Sequence, residues 1–236
     1  MEPISYGKWE IPVLHEDNHL LVVVKPANLP VQADSSGDMD LLSILKEYVG
    51  KKYNKPGKVF MGLVHRLDRP VGGVMVFART SKAASRLSEQ FSSHTVDKRY
   101  YAVVQGQMTG ETQLSHDLIA DEKTGMVRKA RPNEPGSKNA RLTSRAIASR
   151  NNLTLTEVRL ETGRKHQIRV QHALSGFPLW GDARYGGGKS GQQIALWAHS
   201  LSFSHPTLKT DMHFHFPPES FGAWQTFSDI LSEQEA

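Results

Sequence analysis

Three stretches of this 236-residue chain hold side chains whose types and spacing suit chemistry rather than solvation alone. In GLVHRLDRPVGGVMVFART, residues 62–80, one carboxylate, Asp68, stands between Arg66 and Arg69 at the mouth of an apolar run. In VDKRYYAVVQG, Tyr100 opens another apolar run directly behind Lys98 and Arg99. In LETGRKHQIRVQHALSG, Arg164, His166 and Arg169 crowd into six residues. A free aspartate, with a pKa of about 3.9, needs no help to ionise at neutral pH. Inside a closed pocket, desolvation would raise that value by as much as about 3–5 units. A guanidinium in contact reverses the shift and fixes the carboxylate's direction. Two readings are open at this point: the arginines solvate a structural turn, or they hold a reactive aspartate ready.

The surrounding pattern predicts the elements that must position these groups. LLVVV at 20–24, followed by Pro26 and Pro30, reads as a strand running into a turn. Residues 40–53 set Leu41, Leu42, Leu45, Tyr48 and Val49 on one helical face, with Asp38 or Asp40 as cap. GGVMVFA at 72–78 is a short apolar strand. A helix follows it, capped by Thr80 or Ser81, with Ala84, Leu87 and Phe91 inward. Strand propensity returns at 100–104, 141–148 and 153–160, and the change of apolar parity between Leu155 and Val158 predicts a bulge or bend. Tyr101, on the other strand face from Tyr100, is expected in the core. Residues 165–175 read as a helix stopped by Gly176, and late strands fit IALWAHSLSF and DMHFHF. Strands and helices are mixed without regular alternation, which predicts an α+β fold: one domain over 1–236, built on a long mixed, mostly antiparallel sheet flanked by helices and loops. The loops after Val64, around Tyr100 and around Arg164 are expected on one face.

Composition narrows the function classes. With 38% hydrophobic and 22% charged residues the chain can bury an ordinary core. There is no apolar run near the length of a membrane span and no basic-then-apolar leader, so a membrane partner is not expected. The absence of cysteine removes disulfides and thiolate metal sites and fits a reducing, cytoplasmic compartment. The histidines at 65, 166, 199, 213 and 215 are scattered and have no cysteine beside them, so no metal site is expected. The net charge is +5, and residues 121–145 carry seven Lys/Arg against three Asp/Glu, a local +4. Arg128, Lys129 and Arg131 lie in this segment, which reads as a basic loop suited to a polyanion.

Four ordered motifs resemble those of the RluA-type pseudouridine synthases. HRLDRPVGGVMVFART is similar to the family's catalytic motif, VDKRYYAVVQG to its second, LETGRKHQIRVQHALSGFPLWGDARYGG to its third, and LWAHSLSFSHP to a fourth. The similarity runs from about Val13 to Phe216. It implies a cofactor-free RNA isomerase acting on uridines of structured rRNA or tRNA. The chain begins within about a dozen residues of the first motif, so a stand-alone catalytic domain is expected, without the small RNA-binding domain often fused ahead, together with a monomer and no obligatory protein partner. By the same resemblance Asp68 is the nucleophile or base, Tyr100 stacks on the flipped uracil, Arg169 pairs with Asp68, and Arg66 enters the gap left by the base. Arg164 and His166 are expected to contact RNA, Arg69 has a general phosphate role, and Asp182 is expected to serve a turn. Val71-Gly72-Gly73 stands where the family usually has Thr-Ser-Gly, so any hydrogen bonds made by those hydroxyls must come from backbone amides. The competing reading is a catalytically inactive RNA-binding or ribosome-assembly factor of the same fold. Asp68 separates the two, because a binder gains nothing from a carboxylate facing phosphates.

Overall fold

The structure, a computed structural model, describes residues 1–121 and 123–233. In chain order the first elements are β1 (Ile4–Tyr6), β2 (Trp9–Ile11), β3 (Val13–Glu16), β4 (Leu20–Lys25), α1 (Leu41–Lys52), β5 (Gly62–Leu63), β6 (Gly72–Ala78) and α2 (Ser81–Ser92). There follow β7 (Asp97–Gln105), β8 (Glu111–Ala120), β9 (Val127–Lys129), β10 (Lys138–Arg150), β11 (Leu153–Leu160) and α3 (Gln167–Leu174). The chain ends with β12 (Leu196–Ser204), β13 (Asp211–His215), a 3-10 turn at Gly222–Phe227 and α4 (Ser228–Glu233). No described helix is long and apolar enough to cross a membrane. The fold is α+β with a large mixed sheet and flanking helices, as the sequence predicts.

The backbone divides into two compact units: Met1–Asp97 with Ser200–Phe216, and Lys98–His199 with the residues from Pro217 on. In the first, β3, β4, β6 and β12 are hydrogen-bonded in that order, β5 adds to β6, β13 adds to β12, and β1 pairs with β2 as a separate hairpin. All residues of β4 and β6 are buried, so apolar character runs continuously through them rather than alternating. Leu20, Val22, Val74 and Val76 form a core with Ala83 and Leu87 of α2 and with Leu201 and Phe203. Thr80 caps α2 by accepting the Ala83 N–H through its hydroxyl (3.1 Å), and Asp40 caps α1 by accepting from Ser43 N–H (3.0 Å). Ala83 rather than Ala84 is the fully buried alanine of α2; Ala84 and Phe91 pack only partly against the core. On α1 the buried face is Leu41, Ile44, Leu45 and Val49. Tyr48 lies at its margin, and its hydroxyl donates to Glu16 (2.9 Å).

In the second unit the strand order is β12, β7, β11, β10, β8, β9. The register pairs Tyr100 with Val158 and Tyr101 with Glu157, which puts the two tyrosines on opposite faces. The expected irregularity beside Leu155 is present, but the extra residue is on the neighbouring strand: Ala146 opposes Thr156 and Ala148 opposes Leu155, so Ile147 is the bulge. Two strands, β8 and β9, lie where the sequence predicts none. The inward positions of β8, Leu114, His116 and Leu118, alternate with polar residues of low strand propensity. Leu118, Val127 and Ala140 pack with Val170 of α3.

Deeper under α3, His172 is fully buried, and its Nδ1–H donates to the Ile168 carbonyl (2.8 Å). Its Nε2 accepts from the Ser144 hydroxyl (3.0 Å). Burial pushes its pKa from 6.5 down to about 4. An unfolded chain takes up this proton near 6.5 and the folded one only near 4, so acid favours unfolding. The stability due to neutral His172 is therefore complete above about pH 6.5. It falls by up to about tenfold in the folding equilibrium per pH unit until about pH 4. Urea unfolding at pH 7.5 and pH 5 should show a larger loss for the wild type than for His172→Asn. Equal losses would show that this histidine is not the buried acid-sensitive group.

Candidate active site

The Asp68 turn is built in the first unit from beneath. Val71 N–H donates to the Asp68 carbonyl (2.9 Å), closing a turn whose third residue is Pro70. The next carbonyl, that of Arg69, accepts from Asn28 N–H (2.9 Å) and from the Lys25 ammonium (3.0 Å). Lys25 also donates to the carbonyls of Pro26 (2.9 Å) and Leu29 (2.7 Å), so its three N–H groups meet three carbonyls. The side chain is wholly buried. Burial pushes its pKa from 10.5 to about 7, a fall that the Asp68 charge opposes. Leu67 points into the core, Asp68 is half-buried, and Arg66 is exposed. His65 is a peg for the same stretch: its Nε2 accepts from Val76 N–H (3.1 Å), and its ring stacks on Phe91 at 4.6 Å. Gly73, paired with Lys25 in the β4–β6 ladder, has φ +126°, a conformation that demands glycine. Lys25, which holds this turn, is the residue that sequence reasoning missed. Its signal is a lysine closing an otherwise apolar strand immediately before a proline.

The second unit holds the other candidates. Tyr100 is buried on β7, and Tyr101, on the opposite face, stacks on His199 at 3.7 Å. Burial and then the Glu157 charge push the Tyr101 hydroxyl up to about 12, which suits a core residue and not a proton donor. Arg169, on α3, makes a two-pronged pair with Asp182: Nε to Oδ2 and Nη2 to Oδ1, both 2.7 Å. Both side chains are buried. Asp182 also accepts from Arg184 N–H (3.1 Å), so its turn role is real, but it aims the arginine as well. Tyr185 completes the cluster: its ring lies under the Arg169 guanidinium at 5.3 Å, and its hydroxyl meets His166 Nδ1 (2.7 Å) and accepts from Val127 N–H (3.0 Å). The turn that carries Asp182 and Tyr185 needs its glycines, since a Cβ on Gly187 would sit 1.7 Å from the Leu179 carbonyl oxygen.

His166 starts α3 with φ +53°, in the left-handed region, and is buried; Arg164 is exposed and its Nε donates to the Asn139 carbonyl (3.0 Å). The basic segment departs from its expected form. It contains β9 and the start of β10 instead of a continuous loop. Arg128 is held by Glu134 (2.9 Å), whose carboxylate also accepts from Arg131 N–H (2.8 Å), while Lys129 is exposed. Arg141 and Arg145 pair with Glu161 and Glu157. Thus the structure groups Arg169 with Asp182, Tyr185 and His166 in one unit, and Asp68 with Lys25, Arg66 and Arg69 in the other. Removing the Asp182 charge would leave a buried guanidinium short of its partner. Asp182→Asn should cost up to about 3–5 kcal/mol in urea unfolding, whereas the apolar pair Arg169→Met with Asp182→Leu should recover most of it. An Asp182→Asn protein as stable as the wild type would contradict this role.

The chain as a whole is similar to known proteins. Residues 19–174 match the family model described as RNA pseudouridylate synthase. The chain is 34% identical over 221 residues to ribosomal large subunit pseudouridine synthase D of Zymomonas mobilis, covering 86% of this chain and 68% of that one. It is 33% identical over 242 residues to ribosomal large subunit pseudouridine synthase D of Pseudomonas aeruginosa, covering 93% and 74%. The chain therefore spans about two thirds to three quarters of the length of these relatives. The solved structure of human RNA pseudouridylate synthase domain containing 4 shares the fold, with a TM-score of 0.73 at 22% identity over 94% of this chain and 93% of that one. With a matched model over most of its length and relatives above 30% identity, the chain belongs to the RNA pseudouridylate synthase family.

Proposed function

We propose that the protein converts uridine to pseudouridine in large-subunit ribosomal RNA, with Asp68 as the reactive carboxylate. The observation that carries this reading is the anchored turn: the Arg69 backbone, immediately after Asp68, is tied to the buried Lys25 amine, which holds the turn that presents the carboxylate. A protein that only binds RNA gains nothing from presenting a carboxylate to phosphates. The target class follows the names of the relatives, which act on the ribosomal large subunit; tRNA is the second candidate. The two units work as one catalytic domain, in a monomer, in the cytoplasm, where the cysteine-free composition and an rRNA substrate both fit.

The reaction is an isomerisation. The bond from C1′ of the ribose to N1 of uracil breaks, the base turns, a bond from C1′ to C5 forms, C5 loses its proton and N1 gains one. No electrons are exchanged with a cofactor. Asp68 acts at the ribose as nucleophile or base. Tyr100 offers its ring to the flipped uracil, and Arg66, exposed beside the turn, fills the vacated stack, which offsets part of the few kcal/mol that unstacking costs. Arg169, whose Nε and Nη2 edge is committed to Asp182, completes the set of catalytic groups in this reading. Arg164, His166, Lys129, Arg131 and Arg128 hold the RNA, the last by exchanging Glu134 for phosphate.

The test uses RNA carrying tritium at C5 of uridine, released only when the new carbon–carbon bond forms. The wild type should release it, and with a chelator present. Asp68→Asn should bind the RNA as tightly or more tightly, since a negative charge near phosphates is gone, and should release none. Release by the asparagine variant at a substantial rate would make Asp68 an ordinary turn residue.

A further inference from the structure

Arg69 is adjacent to Asp68, and its backbone and side chain are held from opposite directions. Its carbonyl is fixed from the interior by Lys25 and Asn28, as described above. Its guanidinium reaches outward to the loop between β4 and α1, where Nη1 donates to the Ser36 hydroxyl (3.0 Å) and lies 3.7 Å from Asp34 Oδ2. Nη2 is paired with the Asp38 carboxylate. The loop is shaped for this grip. Asp34 Oδ1 accepts from both the Ser36 amide (2.9 Å) and the Ser36 hydroxyl (2.5 Å), and the Ser36 oxygen accepts from Asp38 N–H (3.2 Å). The neck of the loop is closed by Leu41 N–H to the Pro30 carbonyl (2.8 Å) and Leu42 N–H to the Val31 carbonyl (3.0 Å). Residues 32–40 lie beyond that neck, with Asp40 also tied to α1 as its cap.

The three charged side chains keep 42%, 42% and 53% of their surface in water for Arg69, Asp34 and Asp38. Exposed pairs of this kind contribute little and exchange readily. Yet the arrangement reproduces what an RNA strand would offer: two anionic groups and a hydroxyl presented to one guanidinium fork, which binds phosphate in the same two-pronged way. Resting on the reading that the substrate is RNA, we propose that the loop 32–40 is an anionic gate: Asp34 and Asp38 occupy Arg69 in the RNA-free protein, and a backbone phosphate next to the target uridine replaces them. Arg69 is then a substrate-binding residue whose ligand must displace an internal competitor. RNA lacking a phosphate in reach of Arg69 leaves the gate closed beside Asp68.

A double-mutant cycle tests this. A large-subunit rRNA transcript with a fluorescent end label is titrated with wild type, Asp34→Asn with Asp38→Asn, Arg69→Gln, and the triple variant, all checked for unchanged thermal midpoints. Removing both carboxylates should tighten binding by about threefold to tenfold when Arg69 is present, and by less than about twofold when it is glutamine. The Arg69→Gln variant should also lose about one phosphate contact's worth of salt dependence, a slope change of roughly 0.9 by analogy with duplex DNA. Equal tightening with and without Arg69 would reveal general electrostatics and overturn the gate, as would weaker binding after the carboxylates are removed. Binding and tritium release by the wild type separate this failure from failure of the RNA reading: if no variant binds RNA, both fall together.

Discussion

A lysine with no surface in water stands behind the turn that presents Asp68. Lys25 places its ammonium among the carbonyls of Pro26, Leu29 and Arg69, which belong to two segments brought together by the β4–β6 ladder. Burying that charge is costly unless every donor is used, and here all three are. The gain is geometric. The Arg69 backbone, immediately after Asp68, cannot shift without stranding a buried Lys25 donor, so the turn that carries the carboxylate is held in place. Gly73 at φ +126° opposite Lys25 belongs to the same constraint, and so does the His65 ring seated on Phe91.

The second unit solves the complementary problem, holding a buried guanidinium in place. Arg169 is fixed by Asp182 along one edge and by the Tyr185 ring from its face. The Tyr185 hydroxyl ties this cluster to His166 at the start of α3 and to Val127 of β9. The basic segment is thereby coupled to the arginine: β9, which carries Arg128 and Lys129, hangs from the same tyrosine. An RNA strand engaging those cations would bear on an element whose anchor also contacts Arg169. Below α3 in the same unit lie the buried His172 and its Ser144 partner.

Much of this was legible in the sequence where one residue type had one plausible use. Continuous apolar runs located β4 and β6, threonine and aspartate marked the caps of α2 and α1, and Gly176 marked the end of α3. The motif-bearing residues Asp68, Tyr100 and Arg169 stood out for their chemistry. What stayed hidden depended on partners distant in the chain. Lys25 looks like a solvated lysine until Arg69, 44 residues on, supplies an acceptor. Asp182 looks like a turn residue until Arg169 is seen beside it. The Ile147 bulge was read on the wrong strand, because a parity change reports that two strands are out of step and not which one carries the extra residue. The strands β8 and β9 were missed because their outward residues are polar and their inward ones few.

The central claim is that an anchored aspartate makes this chain an enzyme acting on ribosomal RNA. It is tested most directly by mapping pseudouridines across total RNA from cells that lack the gene and carry either the wild-type or the Asp68→Asn protein. The account predicts that at least one uridine of the large-subunit rRNA is unmodified in the deletion, is restored by the wild type and is not restored by the asparagine variant. Identical maps in all three, or restoration by the variant, would contradict it.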